Sequence, residues 1–168
     1  MRKKHLRKME KLSKKRKITV HNFDTAKTMG VALLSTDRAQ LRSVLDNLVK
    51  KYNLKITFAI YYPEKKLPEN VGVYTDNVLF ADSECNWFGK PANRAIDKFT
   101  NCEFNILIDL SEKACFPLQC LVAASKANFK IGNSHNAQLY DFMLLGNSSS
   151  ENFIMNIETY LKKINCNE

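Results

Sequence analysis

The stretch Glu103–Asn133, EFNILIDLSEKACFPLQCLVAASKANFKIGN, decides the fold. Its opening segment, Phe104–Leu110, is apolar at nearly every position, as a strand covered on both faces must be. Pro117 sits where a helix can begin. Beyond it Leu118, Leu121, Val122 and Ser125 share one face, while Ala123 and Ala124 allow close packing on a sheet. Asn128–Ile131 is again extended and ends at Gly132. Strand, helix and strand in about thirty residues form a parallel unit, whose crossover is expected to be right-handed.

The same alternation runs outward from this unit. Met29–Leu34 reads as a short buried strand. Asp37 follows it, with Gln40 placed for a capping box. The helix from Asp37 to Tyr52 carries Leu41, Val44, Leu45, Leu48 and Val49 on one stripe, and Lys50 and Lys51 suit the negative end of its dipole. Leu54–Tyr62 is a second strand, stopped by Pro63. Irregular sequence follows, with Val71–Tyr74 as a candidate edge strand, and then a third short strand, Val78–Ala81. Pro91 opens a short helix over Ala92–Phe99, with Ala95, Ile96 and Phe99 inward. Near the end, Tyr140–Leu145 reads as a strand. A final helix, boxed by Ser148 and Glu151, buries Phe153, Ile154, Ile157, Leu161 and Ile164.

This order predicts an α/β, Rossmann-like three-layer domain with a mostly parallel sheet of five or six strands. The domain is expected over residues 28–165, preceded by a basic N-terminal tail over residues 1–20, helical or disordered. At 168 residues, with 45% hydrophobic and 26% charged residues, the chain suits a single core. It contains no apolar run near the roughly 20 residues that span a bilayer. Its N-terminus lacks the apolar core and cleavage site of a secretory signal, so the expected location is cytoplasmic. Cys85, Cys102, Cys115, Cys120 and Cys166 are odd in number and include no C-x-x-C pair, so neither disulfides nor a zinc site is expected.

The net charge of +9 is concentrated in one place. Met1–Lys17 holds Arg2, Lys3, Lys4, Arg7, Lys8, Lys11, Lys14, Lys15, Arg16 and Lys17 against a single acid, Glu10. The remaining residues balance to zero. Leu6, Met9 and Leu12 form one narrow apolar stripe, too thin to build a core element. Mutual repulsion is therefore expected to leave the segment frayed until an anionic partner orders it.

Enzyme signatures are sparse. The five glycines are isolated, with no phosphate-loop spacing, and neither H-E-x-x-H nor G-x-S-x-G occurs. No cofactor and no metal is expected. Asp109 ends a central strand, where open α/β sheets bind ligands, and Asp82 follows the third strand in the same way. If they faced one crevice, the pair could do acid/base work; the simpler reading is that each caps the loop after its strand. Trp87, Phe88 and Lys90 set aromatics beside a cation, a combination that can stack nucleic-acid bases. Alternatively Trp87 and Phe88 close one end of the core. Asp82, Trp87, Lys90, Asp109 and Gly132 together make up the candidate ligand crevice.

Two resemblances add to this reading. The first is to an uncharacterised family of short Bacteroidota proteins, a domain of unknown function. It is carried by the basic N-terminus, Lys27–Val31, a loop Trp, Leu121–Gly132 and Tyr160–Asn165. The second is to the N-terminal half of heptosyltransferase-like glycosyltransferases, where strands ending in Ile-Asp-Leu and Ile-Gly recur as in Ile108–Leu110 and Ile131–Gly132. That resemblance implies a scaffold without the second, nucleotide-sugar-holding domain.

The expected function is a non-enzymatic RNA- or ribosome-associated protein whose basic tail binds phosphates. The alternatives are a small-ligand or sugar/nucleotide-related enzyme using the strand-end crevice, and an interaction module docking on an anionic membrane or an acidic protein.

Overall fold

The computed structural model describes residues 2–69, 77–133, 136–144 and 149–164, and of Leu12 the backbone only. The described elements are α1 (Arg2–Ser13), β1 (Thr28–Leu34), α2 (Arg38–Tyr52), β2 (Lys55–Tyr62), β3 (Val78–Ala81), α3 (Arg94–Asn101), β4 (Ile106–Asp109), α4 (Phe116–Ala124), β5 (Phe129–Asn133), β6 (Phe142–Leu144) and α5 (Ser150–Leu161). The strands form one sheet in the order β3-β2-β1-β4-β5-β6. Every neighbouring pair is parallel. This is the doubly wound, Rossmann-like arrangement, with the reversal of strand order between β1 and β4.

Helices cover both faces, so most strands contribute to two cores. The first core packs Leu41, Leu45 and Leu48 of α2 and Phe153, Ile154, Ile157 and Leu161 of α5 on the sheet. The second packs α1, α3 and α4 on the other side. Strand alternation explains the division: in β4, Ile106 and Ile108 enter the first core and Leu107 the second.

Local chemistry sets several boundaries differently from expectation. Asp37 makes no capping bond. Ser35–Asp37 is a 3-10 turn ahead of α2. The α3 helix begins after Asn93, whose Oδ1 accepts from the Ile96 amide at 2.8 Å, and its Ala95 is exposed. Ser149, one residue beyond the expected cap, accepts from Asn152 at the start of α5. Asn53 closes α2 at φ 52, the left-handed conformation asparagine tolerates at helix ends. Tyr140 lies outside β6. The candidate strand at Val71–Tyr74, along with Ser148, falls outside the described residues.

The largest departure is at the N-terminus. Residues 2–13 form a regular helix that runs beside α4 in the same direction. The Arg2 guanidinium lies 5.6 Å from the ring centre of Phe116 at the start of α4. At the other end, Arg16 Nε donates to the Ala127 carbonyl just beyond α4, at 2.8 Å. Leu6 and Met9 are only 8% exposed and belong to the second core. The stripe judged too thin for a core element suffices because α4 and the sheet supply the rest of the apolar surface. The described part of the β5–β6 connection contains no α-helix, and α1 comes in from the N-terminus to cover β5. Substituting Leu6→Ala should cost about 2–3 kcal/mol in urea unfolding, against less than about 0.5 for the exposed Lys3→Ala. A detached tail would leave both unchanged.

Candidate nucleic-acid interface

The strand-end crevice expected from sequence is not one site. Asp82 and Asp109 lie three strands apart, roughly 14 Å at the usual strand spacing. Asp82, exposed after β3, accepts from the Tyr61 hydroxyl on β2 at 2.5 Å. Asp109 is 1% exposed. Its Oδ1 accepts from the Ser111 amide at 2.9 Å and the Ser111 hydroxyl at 2.5 Å, and its Oδ2 from the Tyr140 hydroxyl at 2.7 Å. Burial is the main cause, and Asp109 the second, of a Tyr140 pKa raised far above the ordinary phenol value, so this hydroxyl donates at any physiological pH. The Tyr140 ring lies flat on Gly132: a Cβ there would sit 2.2 Å from a ring carbon. Gly132 is therefore the socket for an internal tyrosine, and the space between Asp109 and Gly132 is already filled.

The neighbouring helix terminus is also engaged by the protein itself. The Ser150 amide and hydroxyl, at the start of α5, both donate to Glu112 Oε1 at 3.2 Å. A small cleft of about 160 Å³ remains there, lined by Ser111, Glu112, Lys113 and Asn133. A larger one, about 470 Å³, lies beside α2, where Arg38, Arg42, Leu45 and Phe58 line it. Neither contains Asp82 or Asp109.

The basic residues are arranged by the docking of α1. At 100° per residue, Lys3, Lys4, Arg7, Lys8 and Lys11 occupy an outward arc of roughly 140°, and all five are exposed. Leu6, Met9, Glu10 and Ser13 face inward and are buried. Glu10, the only acid of the segment, accepts from Asn136 Nδ2 at 2.6 Å. The outward face is thus cationic throughout, and exposed Lys15 and Lys17 continue it.

Three of the ten expected phosphate contacts have partners within the protein. Arg16 pairs with Asp141 and donates to the carbonyls of Ala127 and Ser13, which makes it a staple between the chain after α1 and the body. Lys14 donates to Gln138. Arg2 lies over Phe116.

Trp87 and Lys90 belong to a separate feature, a tight loop seated against the first turn of α1. Cys85 and Pro91 form an antiparallel bridge across its base. Asn86 Oδ1 accepts from the amides of Phe88 and Lys90, both at 3.1 Å. Gly89 takes φ 83, beside the Arg2 guanidinium. The Phe88 ring stacks on His5 of α1 at 6.2 Å with planes 7° apart. Phe88 is half-buried as expected, but Trp87 is 80% exposed and closes nothing.

Lys130 escaped the sequence reading. It points into the face under α1 with no exposed surface. Its Nζ donates to Ser13 Oγ at 2.5 Å and makes a long contact with the Ala123 carbonyl at 3.5 Å. Burial, followed by the nearby Arg16 charge, lowers its pKa to about 7. The usable signal was a lysine inside a strand of a parallel sheet, where both faces are covered.

Among the described residues no group of side chains could hold a metal ion, and no helix is long and apolar enough to cross a membrane. The four described cysteines are free thiols. Burial pushes Cys85 and Cys115 up to about 11 and Cys120 to about 12, so they stay protonated and are poor nucleophiles.

With this geometry in hand, the family can be assigned: the model of a family of unknown function, DUF6913, matches residues 2–164. The chain belongs to that family. Its match begins within the basic helix, so α1 is part of the family's pattern together with the sheet. No curated protein and no solved structure matches the chain.

Lys130 gives a prediction with a definite sign. The unfolded chain holds the lysine proton up to the ordinary value of 10.5, the folded chain only to about 7. Between these limits the unfolded state binds more protons, so this group makes stability rise with pH; below the window its full penalty applies. Lys130→Met should be neutral or stabilising at pH 6, by up to about 4 kcal/mol. The difference between parent and variant, measured by denaturant unfolding, should shrink towards pH 10. A difference independent of pH would contradict the buried, readily deprotonated lysine.

Proposed function

We propose that the protein binds RNA, free or in a ribosomal context, through the phosphate backbone, with no catalytic step of its own. One observation carries this reading: the outward arc of α1 displays Lys3, Lys4, Arg7, Lys8 and Lys11 with no acid among them. A polyanion lying along that arc releases counterions at each contact, which drives binding and makes it dependent on salt. Because the helix is docked beforehand, little ordering cost falls on the binding step. The remainder of the chain carries no net charge, so attraction is directed to this face.

The other two readings draw less support. Tyr140 occupies the space beside Asp109 and Gly132, and Glu112 holds the α5 amide where a ligand phosphate would sit. An amphipathic helix inserts in lipid through its apolar side, whereas Leu6 and Met9 are turned inward against α4.

The test is a triple variant that removes three positive charges, K3Q/R7Q/K11Q, confined to exposed positions. Affinity for an RNA oligonucleotide should fall by tenfold or more at low salt. The slope of log affinity against log salt should flatten by about two, given roughly 0.7 per phosphate contact on single strands. Unchanged affinity and slope would remove α1 as the anchor. A parent protein that binds no RNA would end the proposal.

A further inference from the structure

We infer that the RNA is engaged as a single strand, with one unpaired base stacked on Trp87 while the backbone follows the α1 cations. This rests on the reading of α1 as a phosphate-binding face and goes beyond it to the form of RNA recognised. Trp87 is 80% exposed, more than any other large hydrophobic residue described. It is also held in place. The Asn86 turn, the Cys85–Pro91 bridge and the left-handed Gly89 fix the backbone on both sides of it.

The loop is fastened to the cationic helix itself. His5 stacks on Phe88, and the Phe88 and Trp87 ring centres are 4.7 Å apart, so a continuous row of three rings leads from α1 to the exposed indole. Lys4 precedes His5, and Lys8 lies one turn further along the helix, both exposed. An aromatic face beside a cationic track is the arrangement that binds single-stranded nucleic acid: bases stack on the ring and phosphates meet the cations. A duplex keeps its bases stacked on one another and cannot offer one to Trp87.

Trp87 is the only tryptophan in the chain, so its own emission reports what covers it. The full chain is titrated with a 12-nucleotide oligouridine or oligoadenosine strand and with a duplex of the same length, at two salt concentrations. The single strand should quench the emission to saturation and the duplex should leave it largely unchanged. Trp87→Ala should lower single-strand affinity roughly tenfold or more and abolish the preference over duplex, while the salt slope is retained. Trp87→Phe should keep most of the affinity.

Failure of this inference is distinguishable from failure of the reading beneath it. Binding that depends on Lys3, Arg7 and Lys11, with no quenching and no loss in Trp87→Ala, overturns the stacking and leaves backbone binding in place. Absence of binding by either strand form overturns both.

Discussion

Lys130 lies within a covered sheet with no surface exposed to water, and α1 is what keeps water away from it. A lysine in that position is costly; closing α1 over β5 imposes that cost, so other contacts of the helix must outweigh it. Several contacts hold the helix there. Leu6 and Met9 contribute apolar burial along α4. Ser13 accepts from Lys130, and Arg16 ties the following turn to Asp141, whose carboxylate also accepts the Lys130 amide at 2.8 Å. Glu10 adds a fourth tie through Asn136. The inward side of α1 is thus committed to the body, and apart from Arg2, which lies over Phe116, its cations face outward.

The same economy of space governs the carboxyl end of the sheet. Strand reversal between β1 and β4 normally opens a crevice for a ligand. Here Tyr140 reaches across Gly132 to Asp109, and Glu112 meets the first amide of α5. The protein's own side chains thus occupy the space at the carboxyl ends of β4 and β5. The surface chemistry is displaced to the outer side of α1 and to the loop that carries Trp87.

Much of this architecture was legible in the sequence. The apolar runs of β1, β2, β4 and β5 and the stripes of α2 and α5 placed those elements within a few residues, because burial on both faces leaves an unmistakable pattern. Asp109 was correctly read as a cap on the loop after its strand, whereas the Asp82 carboxylate accepts from the Tyr61 hydroxyl of a neighbouring strand. What escaped was long-range. Nothing local separates a free basic helix from a docked one when its apolar stripe holds only Leu6, Met9 and Leu12; the missing information is that β5 needs cover. Asp82 and Asp109 looked like partners because strand order is not written in any one segment. Likewise Trp87 could be placed in a loop, but its exposure depends on α1 filling the space beneath Phe88.

The central claim is that α1 belongs to the folded body before any partner arrives. Hydrogen exchange on the full chain without nucleic acid tests it most directly. Amides of residues 6–13 should exchange slowly, with protection approaching that of α4. Exchange at the rate of an unstructured peptide, with α4 still protected, would contradict the account.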